Sequence, residues 1–206
     1  MISIIDYGMG NIGSVSNAVK LLGYDIVIPK DKSDIKNSTH IILPGVGSFS
    51  DGMKNLQKMK FVDILTEEVL DNKKPFLGLC LGMQILVDDG EEGGHTLGLG
   101  WISGTVKKLQ IDETKFRIPH VGWNDIFPRT TSILFHNIQT PIFYFVHSYQ
   151  FLVRDNACIS AECEYGTKFV AAVEKDNIFG LQFHTEKSQR EGLKVLENFL
   201  HVENHR

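Results

Sequence analysis

Residues 75–84, with the sequence PFLGLCLGMQ, contain a cysteine that has a glycine two positions before it and another two positions after it. Gly78-Leu79-Cys80-Leu81-Gly82 is the pattern of a nucleophile elbow, a sharp strand-to-helix turn that holds the nucleophile in a strained backbone conformation. Residues without a Cβ are needed on both sides of such a turn. The first-turn N–H groups and the helix dipole favour a thiolate there, which is the attacking form. A cysteine buried as a small hydrophobic residue is the alternative that this pattern leaves open.

Composition limits the classes of protein to consider. With 206 residues, 42% of them hydrophobic, the chain is long enough for one well-cored domain, which we expect to span residues 1–206. A net charge of -4 and the absence of a long basic run argue against nucleic acid or an anionic membrane as a partner. The apolar stretch at the start of the chain is interrupted by Asp6 after five residues and is too short for a signal peptide. Three sparse cysteines without metal-ligand spacing are expected in the reduced cytoplasm, and we expect no metal site.

The first half of the chain alternates between strand and helix patterns. Strands are predicted at Met1–Asp6, Tyr24–Ile28 and His40–Leu43, and a long helix from about Asp51 to Asn72 precedes the strand that leads to Cys80. This β-α-β-α-β-α order predicts an α/β fold with a parallel sheet and helices on both faces. Ligands of such sheets bind beyond the carboxyl ends of the strands, where Cys80 lies.

A glycine cluster after the first strand offers a second interpretation. Gly8-Met9-Gly10-Asn11-Ile12-Gly13 is a G-x-G-x-x-G, and Asp31 lies about where a dinucleotide fold places its ribose-binding acid. We favour a turn that lets helix and strand pack closely, because this motif is weak by itself. Asp31 also follows Pro29-Lys30 instead of closing the strand, and little chain remains for a substrate domain.

The sequence pattern of the second half of the chain is that of short strands separated by turns. We predict that the helix after the elbow ends near Asp88-Asp89-Gly90 and that a last helix opens with a capping box at Ser188–Glu191. Asp176-Asn177 is the turn of a predicted hairpin. These strands are expected to extend the sheet in antiparallel fashion: Gly104–Leu109, Arg117–Val121, Pro141–Val146, Cys158–Cys163, Phe169–Val173 and Ile178–Phe183.

A cysteine nucleophile needs a base and a group that orients the base. Among eight histidines, His184 is the best candidate because it ends a predicted strand and Glu186 follows two residues later. In an extended chain both side chains would lie on one side, where the carboxylate can hold the imidazole. The other histidines lie at strand or helix ends, in loops, or without a neighbouring carboxylate: His40, His95, His120, His136, His147, His201 and His205.

The triad Cys80–His184–Glu186 predicts acyl transfer through a thioester. Cys80 would attack a carbonyl, His184 would move the proton, and Glu186 would orient His184. The developing oxyanion would be bound by the N–H of Leu81 and by an N–H from Gly45-Val46-Gly47, a glycine turn that follows the third strand.

In these motifs the sequence resembles class I, triad-type glutamine amidotransferases. Within that class it resembles in particular the glutaminase subunits of imidazole glycerol phosphate synthases, which belong to histidine biosynthesis. The resemblance runs over nearly the whole chain. The stretches that carry it are residues 6–11, 44–47, 78–84, 98–101, 119–124, 145–149 and 182–184. It implies a three-layer, flavodoxin-like α/β fold whose mostly parallel central sheet carries added antiparallel strands, and it removes the dinucleotide interpretation, because the family has the opening glycine cluster without that ligand.

The resemblance also implies roles for other residues. Ammonia would be released from L-glutamine at Cys80, without a cofactor, and passed to a (β/α)8-barrel cyclase subunit in a heterodimer. The Val46 peptide, beside the bound carboxamide, is thought to reorient in this family when the partner is loaded. Positions matching those that hold the amino-acid end of glutamine are Gln84, Glu92, Ser148 and Tyr149, and positions matching the interface with the cyclase are Trp123, Tyr144 and Lys187.

Thr185 departs from the family pattern, which usually has proline between the triad histidine and glutamate. Both catalytic groups remain, so we expect activity, but the acceptor of the ammonia stays open. Similar glutaminase subunits feed a sugar amidotransferase of bacterial surface-polysaccharide biosynthesis, and we favour histidine biosynthesis. Two further alternatives are a cysteine hydrolase that acts alone and a non-catalytic interaction subunit with a decayed site.

Overall fold

The structure, a computed structural model, describes residues 1–203; residues 204–206, among them His205, lie outside the described part of the chain. The helices are α1 (Ile12–Leu21), α2 (Lys32–Lys36), α3 (Phe49–Lys58), α4 (Phe61–Thr66), which a π-helical segment continues (Glu67–Asp71), α5 (Leu81–Gln84) and α6 (Gln189–Leu200). The strands are β1 (Ile2–Ile4), β2 (Ile26–Val27), β3 (His40–Gly45), β4 (Phe76–Cys80), β5 (Asp89–Gly90), β6 (Thr96–Leu97), β7 (Gly104–Lys108), β8 (His120–Pro128), β9 (Ile142–His147), β10 (Tyr149–Val153), β11 (Ile159–Glu164), β12 (Lys168–Lys175) and β13 (Ile178–Leu181).

A nine-stranded sheet in the order β2-β1-β3-β4-β13-β12-β11-β8-β9 forms the centre of the fold. Neighbouring strands are parallel from β2 to β13. They are antiparallel from β13 to β9. A smaller sheet has the order β10-β7-β5-β6. The predicted α/β fold, with a parallel sheet that antiparallel strands extend, is confirmed.

The core lies on both faces of the large sheet. Side chains alternate along β3, so that Ile41 and Leu43 pack on one face and Ile42 on the other. Helices α3 and α4 and the smaller sheet cover the first face, and α1 and α6 cover the second. The result is three layers, with the central strands β3, β4 and β13 buried between them. No helix in residues 1–203 is long and apolar enough to cross a membrane.

The helix after the elbow is shorter than predicted. It ends at Gln84, and Asp89–Gly90 is strand β5 instead of the end of a helix. The following residues, 85–87, are apolar because they are buried in the core and not because the helix continues. The Asp88 carboxylate accepts a hydrogen bond from the Gly104 N–H (3.1 Å), which leads the chain into the smaller sheet.

Two other boundaries were predicted wrongly. The long helix from Asp51 to Asn72 is divided at Lys60, which has a left-handed backbone (φ 59°) and ends any continuous helix there. The strand predicted at Arg117–Val121 is β8, which begins only at His120. Pro119 has no N–H to donate to a sheet, so the pairing starts after it.

The predicted capping box is also wrong. Ser188 makes no side-chain cap to α6; its hydroxyl donates to the His184 carbonyl (2.6 Å) and accepts the Tyr144 N–H (3.0 Å). Helix α2 was not predicted, although Asp31 is its cap and accepts the Ser33 N–H (2.7 Å). The hairpin at Asp176 is confirmed, between β12 and β13.

Candidate active site

Three neighbouring strands bring the candidate residues to one edge of the sheet. Strands β3, β4 and β13 are parallel, so their carboxyl ends lie side by side. Gly45 is opposite Cys80 in the register of β3 and β4. His184 follows the end of β13 by three residues. This is the edge where parallel sheets bind ligands.

Cys80 has the backbone strain of a nucleophile elbow. Its dihedral angles, φ 52° and ψ −106°, are a conformation that a residue with a side chain rarely adopts. Both flanking glycines are required by contact: a Cβ on Gly78 would overlap the Gly82 carbonyl, and one on Gly82 would overlap the carbonyl oxygen of Leu43. The close approach of β3, β4 and α5 therefore holds the cysteine in place.

The second and third members of the predicted triad are in direct contact. His184 Nδ1 lies 2.9 Å from Glu186 Oε1, and both side chains are buried. The sequence analysis expected this contact to arise from an extended chain. In the structure it arises instead from a single 3-10 turn, Thr185–Lys187. The local backbone geometry thus holds the Glu186 carboxylate against Nδ1 of the imidazole.

Cys80 and Glu186 both interact electrostatically with His184. Nε2 is buried and has no hydrogen-bond partner among residues 1–203. Burial alone would lower the pKa of His184, but its interactions with Cys80 and Glu186 outweigh burial and raise that pKa to about 9. The protonated form of the His184 imidazole is therefore favoured at neutral pH.

Two further groups surround the Cys80 sulfur. The Val146 carbonyl oxygen lies 3.9 Å from Sγ, and the side-chain amide of Gln182 donates to Sγ at 3.6 Å. Gln182 was not among the predicted site residues. Its position two residues before His184 was the available signal, because alternate residues of a strand share a side.

A cavity of about 230 Å³ opens in front of the sulfur. Its lining includes Val46, Gly47, Cys80, Leu81, Gln84, Glu92, Val146, His147, Ser148 and Tyr149. The structure therefore brings the four residues predicted to hold an amino acid to the same cavity as the cysteine. His184 is buried and is not one of the lining residues. Ligand pockets for drug-sized molecules usually exceed ~300 Å³, so this one suits a smaller molecule.

The acidic residue of the cavity is fixed by a helix start. Glu92 Oε2 accepts the N–H of Phe49, the first residue of α3, at 3.0 Å. Partial burial raises the pKa of Glu92, the hydrogen bond from Phe49 opposes that rise, and Asp51 adds to it. A carboxylate at this position can pair with a ligand ammonium group.

In the turn predicted to bind the oxyanion, Gly45-Val46-Gly47, the Val46 N–H does not point to the cavity. The Val46 N–H donates to the Met9 carbonyl oxygen at 2.5 Å, and therefore is not available to a ligand in this conformation. Gly45 packs under the Tyr7 hydroxyl, which leaves no room for a side chain. Leu81 begins α5, where the first N–H groups have no partner within the helix.

His120 and His147 form a buried pair beside the cavity. His120 Nδ1 lies 3.0 Å from His147 Nε2, and His147 Nδ1 lies 2.8 Å from the Tyr149 carbonyl oxygen. Burial lowers the pKa of His120 to about 4 and that of His147 to about 3. Both rings are therefore neutral at pH 7, and they support the 147–149 segment through hydrogen bonds.

The three predicted interface residues form one surface cluster. The rings of Trp123 and Tyr144 are 6.1 Å apart, and Lys187 Nζ lies 5.5 Å over the Tyr144 ring. Trp123 is 46% exposed, with Val121 on the same side of β8. The Tyr144 carbonyl accepts the His184 N–H (3.0 Å), so this surface adjoins the triad.

Thr185 has a hydroxyl that the site does not use. Its Oγ1 is buried and has no hydrogen-bond partner among the described residues. Thr185 is also the first residue of its 3-10 turn, where proline loses no helical hydrogen bond, and the extended His184 backbone tolerates a following proline.

We expect Thr185→Pro to stabilise the protein. Removal of the unpaired hydroxyl and restriction of the unfolded chain together predict an increase of about 1–3 kcal/mol in the free energy of unfolding, measured by urea denaturation. Thr185→Val is the matched variant, because it removes the hydroxyl but leaves φ free. A smaller gain in Thr185→Val than in Thr185→Pro is expected, whereas a loss of stability in Thr185→Pro would contradict this account.

No group of three or more metal-ligating side chains is placed to hold a metal ion within residues 1–203.

The family model for class I glutamine amidotransferases matches residues 3–202 of this chain. The chain belongs to the class I glutamine amidotransferase family. More particularly, it is 46% identical over 201 residues to imidazole glycerol phosphate synthase subunit HisH 2 of Methanococcus maripaludis, covering 97% of this chain and 98% of that one. It is 46% identical over 203 residues to subunit HisH 1 of Campylobacter jejuni strain RM1221, covering 98% and 100% of the two chains.

Solved structures support the same fold. A chain from the structure of PurLQS from Thermotoga maritima superposes with a TM-score of 0.72 at 20% identity, covering 97% of this chain and 96% of that one. A crystal structure of a glutamine amidotransferase gives a TM-score of 0.71 at 17% identity, with 97% and 96% covered. The predicted class I glutamine amidotransferase fold is confirmed.

Proposed function

We propose that this chain is the glutaminase subunit of an imidazole glycerol phosphate synthase. It hydrolyses L-glutamine to glutamate and ammonia, and a cyclase subunit with a (β/α)8 barrel receives the ammonia in a heterodimer. The observation that carries the proposal is the contact of His184 with Glu186 behind a strained Cys80, at the mouth of a cavity for a small molecule. The subunit names of relatives that match along the whole chain support the choice of complex.

The proposed mechanism follows from the positions of three side chains. After its proton has passed to His184, the Cys80 sulfur attacks the carboxamide carbon of glutamine. The protonated His184 donates that proton to the leaving nitrogen as ammonia departs, which leaves a thioester. Water, deprotonated by the now neutral His184, then hydrolyses the thioester to glutamate and restores the thiol. Glu186 keeps the imidazole oriented throughout, through its 2.9 Å contact with Nδ1.

Binding of the amino-acid end is assigned to the far side of the cavity. The Glu92 carboxylate pairs with the α-ammonium group, and Gln84, Ser148 and Tyr149 hold the remaining polar atoms. The small volume of the cavity favours a free amino acid over a peptide, which argues against a stand-alone peptidase. A peptide would need an open groove on both sides of the sulfur.

The oxyanion site is completed by movement of one peptide. Leu81 supplies one N–H, and the Val46 N–H must leave the Met9 carbonyl before it can supply the second. The partner is proposed to favour that rearrangement by binding the surface of Trp123, Tyr144 and Lys187. The free subunit is consequently nearly idle, and ammonia is released only where an acceptor is present.

Glutamine hydrolysis should therefore depend on the partner. We expect the purified chain to hydrolyse glutamine slowly and the complex with the cyclase to do so about 10²–10³-fold faster, which is the contribution of one oxyanion-hole donor. Release of glutamate, with the barrel alone as a control, measures this. Trp123→Ala should reduce the stimulation and leave the slow rate of the free chain unchanged. Full activity without a partner would instead indicate a cysteine hydrolase that acts alone.

A second candidate function is ammonia supply to a sugar amidotransferase of surface-polysaccharide biosynthesis. Several relatives carry the number 1 or 2 in their names. This numbering indicates that some organisms have more than one such subunit, and two subunits can serve different ammonia acceptors. The triad would be the same in both cases. Adding each candidate partner to the chain separates them, because only the true partner should stimulate glutamine hydrolysis.

A further inference from the structure

We infer that Gln182 is a positioning residue for the nucleophile, with its side-chain amide held as a hydrogen-bond donor against the Cys80 sulfur. The inference rests on the proposed role of Cys80 as the nucleophile and adds a group beyond the triad. Three observations carry it: the strand register, the direction of a hydrogen-bond chain, and the complete burial of the amide.

The sheet register places Gln182 beside Cys80. Strands β13 and β4 are parallel, and Leu181, the last residue of β13, is paired with Leu79. Gln182 follows Leu181 directly, just as Cys80 follows Leu79. Gln182 is 0% exposed, and its Nε2 lies 3.6 Å from Sγ. The Gln182 N–H also donates to the Ala171 carbonyl (2.9 Å), which fixes the backbone. The amide is therefore built into the sheet and cannot turn to solvent.

The direction of the Gln182 amide follows from a backbone carbonyl. The Tyr149 carbonyl can only accept, so Gln84 must direct its NH₂ group toward it, at 3.1 Å. The same NH₂ group lies 3.0 Å from one end of the Gln182 amide, which must then be the oxygen. The NH₂ end of Gln182 is left for the sulfur. Reversal of either amide would place two donors or two acceptors against each other.

A donor at this position favours the thiolate over the thiol. The thiolate accepts an N–H well, whereas the neutral thiol can use the Val146 carbonyl, 3.9 Å away, for its own hydrogen. Gln84 is at once a predicted ligand of glutamine and the residue that sets the Gln182 amide. Substrate recognition and nucleophile activation are thereby joined through one pair of buried carboxamides.

Alkylation of Cys80 by iodoacetamide in the free chain tests the inference. In Gln182→Met, which removes the donor at nearly constant volume, the pH of half-maximal alkylation should rise by about one unit, and the rate at pH 7 should fall about tenfold. Peptide mass spectrometry follows Cys80 apart from Cys158 and Cys163. Gln57→Met, the same change at an exposed position of α3, is the matched control and should leave the profile unchanged.

A purely structural role for Gln182 predicts a different result. In that case Gln182→Met would lower the midpoint of thermal unfolding but leave the pH of half-maximal alkylation where it is, and this outcome would overturn the inference. Should Gln182→Met fail to fold, Gln182→Glu keeps the acceptor for Gln84 and brings negative charge toward the sulfur, so the pH of half-maximal alkylation should again rise. Because the free chain is alkylated without glutamine, this test is independent of the proposed glutaminase activity.

Discussion

Cys80→Ala should abolish glutamine-dependent synthesis by the complex, while the same complex supplied with ammonium salt should keep its activity. The variant removes the sulfur that forms the thioester, so glutamine hydrolysis should fall by about 10⁴-fold or more. The cyclase reaction needs only ammonia, and the fold of the subunit should survive loss of one sulfur. Product formation by the complex, measured with glutamine and with ammonium at pH 8.5, gives the two rates.

Cys158→Ala is the control for this experiment, because Cys158 is also buried but lies directly before β11, among the core side chains of the first sheet face. It should leave both rates unchanged. If Cys80→Ala stopped the ammonium-dependent reaction as well, the division of labour between the subunits would be wrong. Labelling of Cys80 by a glutamine-like electrophile addresses the non-catalytic alternative, since a decayed site would leave the sulfur unmodified.

The parts of the site that were predictable from sequence have local signals. Two glycines around Cys80 indicate a turn that excludes side chains, and an acid two residues from His184 indicates an oriented base. The structure places these groups at one edge because β4 and β13 are parallel neighbours. The α/β order of the first half was predictable for the same reason, since alternating strand and helix patterns leave few arrangements.

The features that were missed depend on contacts between distant segments. Ser188 has the sequence of a cap, yet its hydroxyl donates to the nearby His184 carbonyl and accepts the N–H of Tyr144, which only the folded chain brings near. The direction of the Val46 N–H is set by the Met9 carbonyl, and no local pattern reports the orientation of a single peptide. Gln182 was overlooked because its spacing from His184 does not by itself indicate a role, and a glutamine has no chemical signature until its neighbours are known.

Gly82→Ala should be among the most damaging single substitutions in the chain. The added Cβ would overlap the carbonyl oxygen of Leu43, in the middle of strand β3. Backbone on both sides prevents relief by a side-chain rotation, so β3 and α5 must separate. We expect the free energy of unfolding to fall by at least about 3 kcal/mol. Displacement of the elbow by even ~1 Å should lower glutamine hydrolysis about 10²-fold or more in whatever protein still folds.

Gly13→Ala is the matched control for that substitution. Gly13 lies in α1, and a Cβ added there would meet no atom within 4 Å apart from its chain neighbours and the backbone of its own helix. Alanine in a helix is expected to raise the free energy of unfolding by roughly 0.5–1 kcal/mol. Urea denaturation of the two variants should thus give shifts of opposite sign. If both variants changed the free energy of unfolding by the same small amount, β3 and α5 would be able to move apart without cost. Close packing of the elbow would then not explain the strained conformation of Cys80.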